Sequence, residues 1–506
     1  MAKNPAEKNY LKAKAGKSAQ NFGRIVAEQD PDLQDYYVDP DRYVARALDV
    51  NDPTVFFIGP KGAGKSAILQ MVRLTRAADE GRIISISPDD LAFSALANID
   101  AATPILTEAG KHQWLFKSLW DYILSLEVLR REYKDRSTLV SKLWDMVSSL
   151  FGSNHDAEAR RLLAISLGED GQQQSLSGRI LQLVNEVELS AEVPSAAKLS
   201  GKAKIDTSKL GQGGQLGLLS LINSVAKKIA ESVSSPYHIL IDDLDLHWHD
   251  TPIQNAFIAA LFFSLRNFSK PPNLKCAVAI RDQIYRRLPL VDRDKYHDWI
   301  CHVEWESPNI KKMMERRITS KLDIQSKDIW GGLLPVNAFS KMMRHSYGRP
   351  REAIRLVSLC VQEAQRKGHL RVEEEDVEHG IRKFSDSRIS EIATEFNHQH
   401  GGLEHIIRKF ADWPKEFPVG KLKEVADDVW LEIECGNEIA QAEYPWAGGY
   451  CEDHIGFARI LLECGILLFK PDERAEPILY DLDNRPEITG TTWLAIHPAF
   501  WPALRL

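Results

Sequence analysis

The stretch that most constrains this chain is Gly59-Pro60-Lys61-Gly62-Ala63-Gly64-Lys65-Ser66. It follows the apolar run Val55-Phe56-Phe57-Ile58 and precedes Ala67-Ile68-Leu69-Gln70-Met71-Val72. An apolar strand, a glycine turn and a helix start, with the spacing G-x-x-x-x-G-K-[ST], predict a loop that wraps a polyphosphate. Its glycines take φ/ψ values closed to most residues and let backbone N–H groups approach an anion. A helix opening near Lys65, Ser66 and Ala67 aims the positive end of its dipole at the same place. Lys65 then reaches the β and γ oxygens, and the Ser66 hydroxyl is a ligand for Mg²⁺. A chance glycine loop is the competing explanation, but it has no reason to fall between a strand and a helix.

With 506 residues the chain exceeds one hydrophobic core, and about three domains are expected. Hydrophobic residues make up 44% and charged residues 27%, an ordinary globular balance. The net charge of −7 gives no global attraction to nucleic acid or to an anionic membrane, although a local basic patch remains open. The cysteines, Cys276, Cys301, Cys360, Cys435, Cys451 and Cys464, form no C-x-x-C and read as reduced thiols, mostly core. The first residues lack the apolar region of a signal peptide. No run of about 18 apolar residues appears, so no membrane span is expected and the localisation reads as cytoplasmic.

In chain order, residues 1–20 are rich in Lys, Ala and Asn, and 22–48 read as a lead-in to the first strand. The first strand is expected at 54–58, a helix to about 78, and a second strand at 82–87. Strand–helix–strand implies a parallel sheet. Helical periodicity covers 104–133, with the stripe Leu115, Leu119, Tyr122, Leu126 and Leu129, and further helices are expected at 139–151 and 157–165. Residues 168–217 are polar and glycine-rich, read as loops around a short helix at 178–187, and a helix follows at 216–232.

Next comes a short strand, His238-Ile239-Leu240-Ile241, ending in Asp242-Asp243-Leu244-Asp245. Alone, such an acidic turn is commonplace. Downstream of a phosphate loop, Asp242 reads as the carboxylate that holds the Mg²⁺ shell and Asp243 as the base that polarises water. Ligands of parallel α/β sheets sit at strand C-termini, where these groups converge. The run His247-Trp248-His249-Asp250 reads as a polar rim, since its spacing fits no usual metal ligand set. A buried helix is expected at 255–268 and a strand at 275–280 ending in Arg281, with an edge strand at 300–305. Arg281 then points at the cleft, where it would stabilise charge developing on a transferred phosphoryl group; a surface pair with Asp282 is the alternative.

From 309 the pattern is helical: 310–322, 336–346, a helix opened by Gly348-Arg349-Pro350-Arg351-Glu352 and running to 366, then 372–384 and 389–398. Pro350 suits a first helical turn. Residues 412–506 predict helices at 419–431 and 454–463, then a strand at 466–470, a polar turn and a strand at 478–481, with 495–498 closing the unit. This order suggests a winged-helix-like domain. Counting from Cys451 to Leu506, five bases and nine acids give 5 − 9 = −4, which disfavours phosphate-backbone binding and favours protein contact.

Together these residues resemble the STAND/AAA+ division of P-loop ATPases. The resemblance rests on Gly59 to Ser66, Ile239 to Asp245, Arg281, Gly348 to Arg351 and the terminal winged-helix-like segment, and it covers most of the chain after Phe22. More narrowly, Ile-Gly-Pro-Lys-Gly-Ala-Gly-Lys-Ser, Asp-Asp-Leu-Asp and Ile-His-Pro-Ala-Phe look like a bacterial subgroup often associated with antiviral defence. The resemblance implies an α/β fold: a parallel-sheet P-loop NTPase core (51–308) with a helical insertion at about 105–235, a helical lid (309–400) and a winged-helix-like domain (401–506), after a lead-in (1–50). It implies ATP and Mg²⁺ as cofactors, Lys65, Asp243 and Arg281 as catalytic groups, and Ser66 and Asp242 at the metal. Arg281 would be a sensor arginine, Pro350 would pack on adenine, and Arg351 would be a second sensor. The implied function is a slow ATPase switch that controls self-association or a separate effector; the alternatives are a DNA-directed initiator-like ATPase and a non-hydrolysing scaffold. A trans arginine would come from Arg286, Arg287 or Arg293.

The chain also departs from that pattern. Ser66 to Asp242 spans 242 − 66 = 176 positions, more than a minimal core needs. Asp243 stands where a glutamate is usual, and its shorter reach implies slow hydrolysis. Within these 506 residues no repeat array is visible, and no nuclease, protease or toxin motif is visible.

Overall fold

The computed structural model describes residues 9–14, 22, 24–87, 111–132, 141, 227, 233, 236–246, 248, 250–268, 273–480 and 486–506. The expected elements at 139–151, 157–165, 178–187 and 216–232, and the glycine-rich loops of 168–217, lie outside these residues apart from single positions. The chain divides into two compact units, Asp41–Glu304 and a second made of Met1–Pro40 with Trp305–Leu506.

The first unit is a five-stranded α/β sheet. Its elements are α1 (Tyr43–Leu48), β1 (Phe56–Gly59), α2 (Lys65–Thr75), β2 (Ile83–Ile86), α3 (Lys111–Glu132), β3 (Tyr237–Ile241), α4 (Pro252–Phe268), β4 (Leu274–Arg281), α5 (Asp282–Arg287) and β5 (Ile300–His302). The strands lie in the order β2-β3-β4-β1-β5, all parallel. Every residue of β1 and β3 is buried, as the continuous apolar runs of a sheet covered on both faces require. β1, the loop strand, and β3, the acidic strand, are separated by β4, so Arg281 comes between them. Register fixes this tightly: Gly59 pairs with Arg281.

The sheet core is aromatic. Phe56 stacks on Phe262 with centroids 3.7 Å apart, and Phe257 is flanked by Trp120 at 4.8 Å and Phe116 at 5.5 Å. Trp120 Nε1 donates to the Phe257 carbonyl at 2.9 Å, so the indole buries its apolar body without orphaning its N–H. Of the expected stripe, Leu119, Tyr122 and Leu129 are buried, while the Leu115 and Leu126 side chains lie outside the described residues. The base of the sheet is tied to the preceding chain by polar contacts. Lys275 Nζ donates to the carbonyls of Asp52 at 2.6 Å and Thr54 at 2.9 Å, and His238 Nε2 lies 3.0 Å from the Leu48 carbonyl.

The second unit differs from expectation at three places. The expected lead-in is divided. Phe22 and the short helix Leu33–Tyr36 pack on α6 (Ser307–Lys321), where buried Arg317 donates to the Phe22 carbonyl at 2.9 Å, pairs with Asp30 at 3.3 Å and lies 4.1 Å from the Tyr36 ring centroid. A single arginine thereby satisfies a carbonyl, a carboxylate and an aromatic face, which short-range patterning does not reveal.

After α7 (Ala338–Arg344) and α8 (Pro350–Lys367), the two helices expected at 372–384 and 389–398 are one, α9 (Glu374–Phe396). The apolar period lapses at Ser385, but Ser385 is buried, its Oγ accepts the Ala503 N–H at 3.1 Å, and Arg388 just beyond is buried too. Tertiary partners carry the helix through. Its acidic start forms a capping box, Glu373 with Asp376.

The terminal elements are α10 (Leu403–Arg408), β6 (Glu416–Pro418), α11 (Leu422–Glu434), α12 (Glu438–Glu443), α13 (His454–Glu463), β7 (Leu467–Lys470), β8 (Trp493–Ile496) and α14 (Trp501–Leu504). They form an antiparallel sheet in the order β6-β8-β7. The partner of β7 is therefore β8 rather than the expected 478–481, of which Ile478 makes one isolated bridge to Phe469. Burial decides this: Leu494 and Ile496 are fully buried, whereas Ile478 and Leu479 are about half exposed. Among the described residues no helix is long and apolar enough to cross a membrane. All six cysteines are free, with Cys276, Cys301, Cys360 and Cys464 buried.

Candidate active site

β1 ends at Gly59, whose Cβ position lies 3.0 Å from the Val303 carbonyl oxygen, so a side chain there would push into the segment after β5. The loop turns through Gly62 (φ 86°) and Gly64 (φ 95°), left-handed values that favour glycine. α2 begins at Lys65, and no side chain caps it. Its first-turn N–H groups at Lys65, Ser66 and Ala67 therefore face the loop without a side-chain acceptor, the arrangement that receives an oxyanion. Lys61 and Ala63 lie within the turn, and the Ala63 N–H donates to the Pro60 carbonyl at 3.2 Å.

Lys65 folds back over the loop. Its Nζ donates to the carbonyls of Gly59 at 2.7 Å and Pro60 at 2.9 Å. Burial lowers its pKa from 10.5 to about 8; Asp282 and then Asp245 oppose this, Arg281 adds to it, and Asp242 opposes it. The loop lysine thus shares one electrostatic neighbourhood with the ends of β3 and β4.

Asp242 follows β3, and its N–H donates to the Ile86 carbonyl at 3.2 Å. Its Oδ1 accepts the Asp243 N–H at 2.9 Å. Asp243 is exposed, takes a left-handed φ of 59°, and accepts the Ser87 hydroxyl at 3.0 Å. Aspartate tolerates that conformation better than most residues because its short side chain bonds locally. Arg281, at the end of β4, forms an ion pair with Asp245. The alternative pairing with Asp282 is not the one formed, and Asp282 instead stands nearest in effect to Lys65.

Sequence reasoning missed Asp245 and Asp282 as members of this cluster. The signal was present in the third acid of Asp-Asp-Leu-Asp, but its partner lies on a neighbouring strand. In the segment expected as a polar rim, Trp248 Nε1 donates to Asn255 Oδ1 at 2.9 Å, and Asp250 accepts from Asn255 at 2.8 Å and pairs with Arg287 at 3.5 Å. His247 and His249 lie outside the described residues. Arg293 Nη2 donates to the carbonyls of Arg286 at 3.0 Å and Leu288 at 3.1 Å.

The Gly348-Arg349-Pro350-Arg351 turn belongs to the other unit. Gly348 has φ 68°, Arg349 is the N-cap of α8, Pro350 is buried at its first position, and Arg351 is exposed. Pro350 at that position costs the helix no hydrogen bond.

Residues 308–393, from α6 through most of α9, match the family model described as the FunZ-associated C-terminal helical domain. No curated protein matches the chain. Among solved structures the chain is similar to the Aeropyrum pernix ORC1 protein in complex with DNA, at 13% identity and TM-score 0.40, covering 95% of this chain and 96% of that one. It is similar to the Aeropyrum pernix ORC2 protein in ADPNP–ADP complexes at 12% identity and TM-score 0.40, covering 93% and 94%. It is also similar to Cdc6p from Pyrobaculum aerophilum, at 12% identity and TM-score 0.31, covering 93% and 95%.

Proposed function

We propose that this chain binds ATP with Mg²⁺ at Gly59 to Ala67 and hydrolyses it slowly, as a conformational switch. The observation that carries the reading is the convergence of half-buried Lys65 with Asp242, Asp245, Asp282 and Arg281 at the C-terminal edge of a parallel sheet, beside an uncapped helix start. The Ser66 hydroxyl and Asp242 carboxylate are hard oxygen donors, which suits Mg²⁺. When bound, the ion neutralises charge on the β and γ oxygens. Lys65 leaves the Gly59 and Pro60 carbonyls for the phosphates, Arg281 stabilises charge at the γ-phosphoryl, and Asp243 orients the attacking water. For Pro350 and Arg351 the reading rests on the motif alone.

The test is ATP binding and turnover by the full chain and its Lys65→Ala and Asp243→Asn variants. Lys65→Ala should lose binding, while Asp243→Asn should bind and lose turnover by roughly 10²-fold or more. A wild-type chain that binds no ATP sinks the reading. One that binds without turnover reduces it to a non-hydrolysing scaffold.

A second reading, a DNA-directed ATPase, is favoured by the order helix, strand, three helices, strand, strand, short helix at the C-terminus, with sheet order β6-β8-β7, which fits a winged helix. Duplex binding whose affinity falls linearly with log salt, and which survives near physiological salt, supports it. Control of an effector in antiviral defence is a further proposal, resting on the sequence resemblance; loss of phage protection in Lys65→Ala cells tests it.

A further inference from the structure

A cleft of about 890 Å³ opens in the second unit between α7, α9 and α14. That volume falls in the range of small-molecule sites, roughly 300–1,000 Å³. Trp501 forms part of its wall, fixed by an Nε1–H bond to the Ile496 carbonyl at 2.7 Å. Two cations approach the indole: the Arg344 guanidinium lies 5.1 Å and the Lys415 ammonium 4.3 Å from a ring centroid. The His345 ring meets it edge-on at 6.2 Å. Arg382 and Arg505 stand in the same lining.

Some cations of this unit are neutralised, among them Lys341 in the cleft lining, which pairs with Glu374 at 2.6 Å. Arg317 pairs with Asp30, Lys321 with Asp32, Lys383 with Glu363 and Lys409 with Glu432. In the lining, Arg344, Arg382 and Arg505 form no ion pair with a carboxylate among the described residues, and neither does Lys415 over the Trp501 ring. Gathering unpaired cations raises the local potential and disfavours the empty state. Holding a guanidinium near an aromatic ring orients it while leaving its donors available for two oxygens of one group. Phosphate matches that fork bidentately. Two carboxylates, Glu378 and Asp386, stand in the lining four residues either side of Arg382. They interrupt the positive surface, which suits discrete phosphate groups better than a continuous polyanionic face.

We propose that this cleft binds phosphate groups, carried by a small phosphorylated molecule or by the end of a nucleic-acid strand, with Arg344 and Arg382 as the principal contacts. The site is independent of Gly59 to Ser66 and does not rest on ATP binding there. The test uses the full chain carrying Lys65→Ala, so that the phosphate loop does not contribute. Calorimetric titrations are made with inorganic pyrophosphate and with a 5′-phosphorylated single-stranded oligonucleotide. The expected result is binding of at least one probe, weakened tenfold or more by adding Arg344→Gln with Arg382→Gln, both exposed positions that leave the fold intact. Pyrophosphate binding alone supports the small-molecule source; oligonucleotide binding that needs the 5′-phosphate supports the strand end. Trp501→Leu should weaken the same probe by disordering Arg344. No binding of either probe, or binding unaffected by the double arginine substitution, overturns the proposal.

Discussion

At the scale of single residues, the proposed ATP binding turns on Lys65. Burial holds its pKa at about 8, so near neutral pH it is charged in folded and unfolded chains alike. Between about pH 8 and 10.5 the folded chain has released that proton while the unfolded chain keeps it, so this group's contribution to stability grows as pH rises through that window. A bound polyphosphate acts in the opposite direction by favouring the charged amine. ATP binding at pH 9 should therefore take up a proton and binding at pH 7 almost none, read from calorimetry in buffers of different ionisation enthalpy. Lys65→Arg, which stays charged, should abolish the uptake.

Arg281 offers a second prediction at this scale. Its guanidinium is engaged by Asp245, and both side chains are only about a quarter exposed. Asp245→Asn releases Arg281 toward the phosphates and also removes a negative charge near Lys65. ATP affinity should rise several-fold in equilibrium titration, and a loss of affinity would count against Arg281 as a phosphate contact.

Among the elements, the phosphate loop and the terminal sheet show how backbone shape and burial divide the work. Gly64 has open space around its Cβ position, yet its φ of 95° excludes other residues. Gly64→Ala should cost about 1–2 kcal/mol in the folded state and more in ATP binding, because relaxing the turn moves its N–H groups. Denaturant unfolding with and without ATP separates the two effects.

Tyr347 joins α7, α8 and the terminal sheet. It stacks on His497 at 3.9 Å, donates to the Gly465 carbonyl at 2.7 Å, and its backbone N–H donates to Glu352 at 2.6 Å. Burial above all, with Arg388 and Arg349 adding to it, holds His497 far below its ordinary pKa, at about 3, so this imidazole is neutral at physiological pH. Tyr347→Phe should cost about 1 kcal/mol and Tyr347→Ala about 3–5 kcal/mol, measured by urea unfolding.

On the scale of the whole molecule, the chain is two compact units, and the phosphate loop lies wholly in Asp41–Glu304. A ligand that binds a folded unit stabilises it by RT ln(1 + [L]/Kd), about 2.7 kcal/mol at a hundred times Kd. Calorimetric scanning with Mg-ATP should raise the unfolding temperature of that unit, and Lys65→Ala should remove the shift.

How much was legible in the sequence follows from the range of the forces involved. The five strands, the phosphate loop, the acids after β3, Arg281 at the end of β4 and Pro350 opening α8 are written in runs of a few residues, because hydrophobic period and turn chemistry act locally. The sequence determined these. Tertiary structure decided the partners. Asp245 takes Arg281, Asp282 influences Lys65, Arg317 claims Phe22 and Asp30 from the lead-in, Ser385 carries α9 past a lapse in its pattern, and β8 displaces 478–481 beside β7. Each choice pits one burial or charge pairing against another far away in the chain, and its outcome depends on which groups the folded backbone brings within reach.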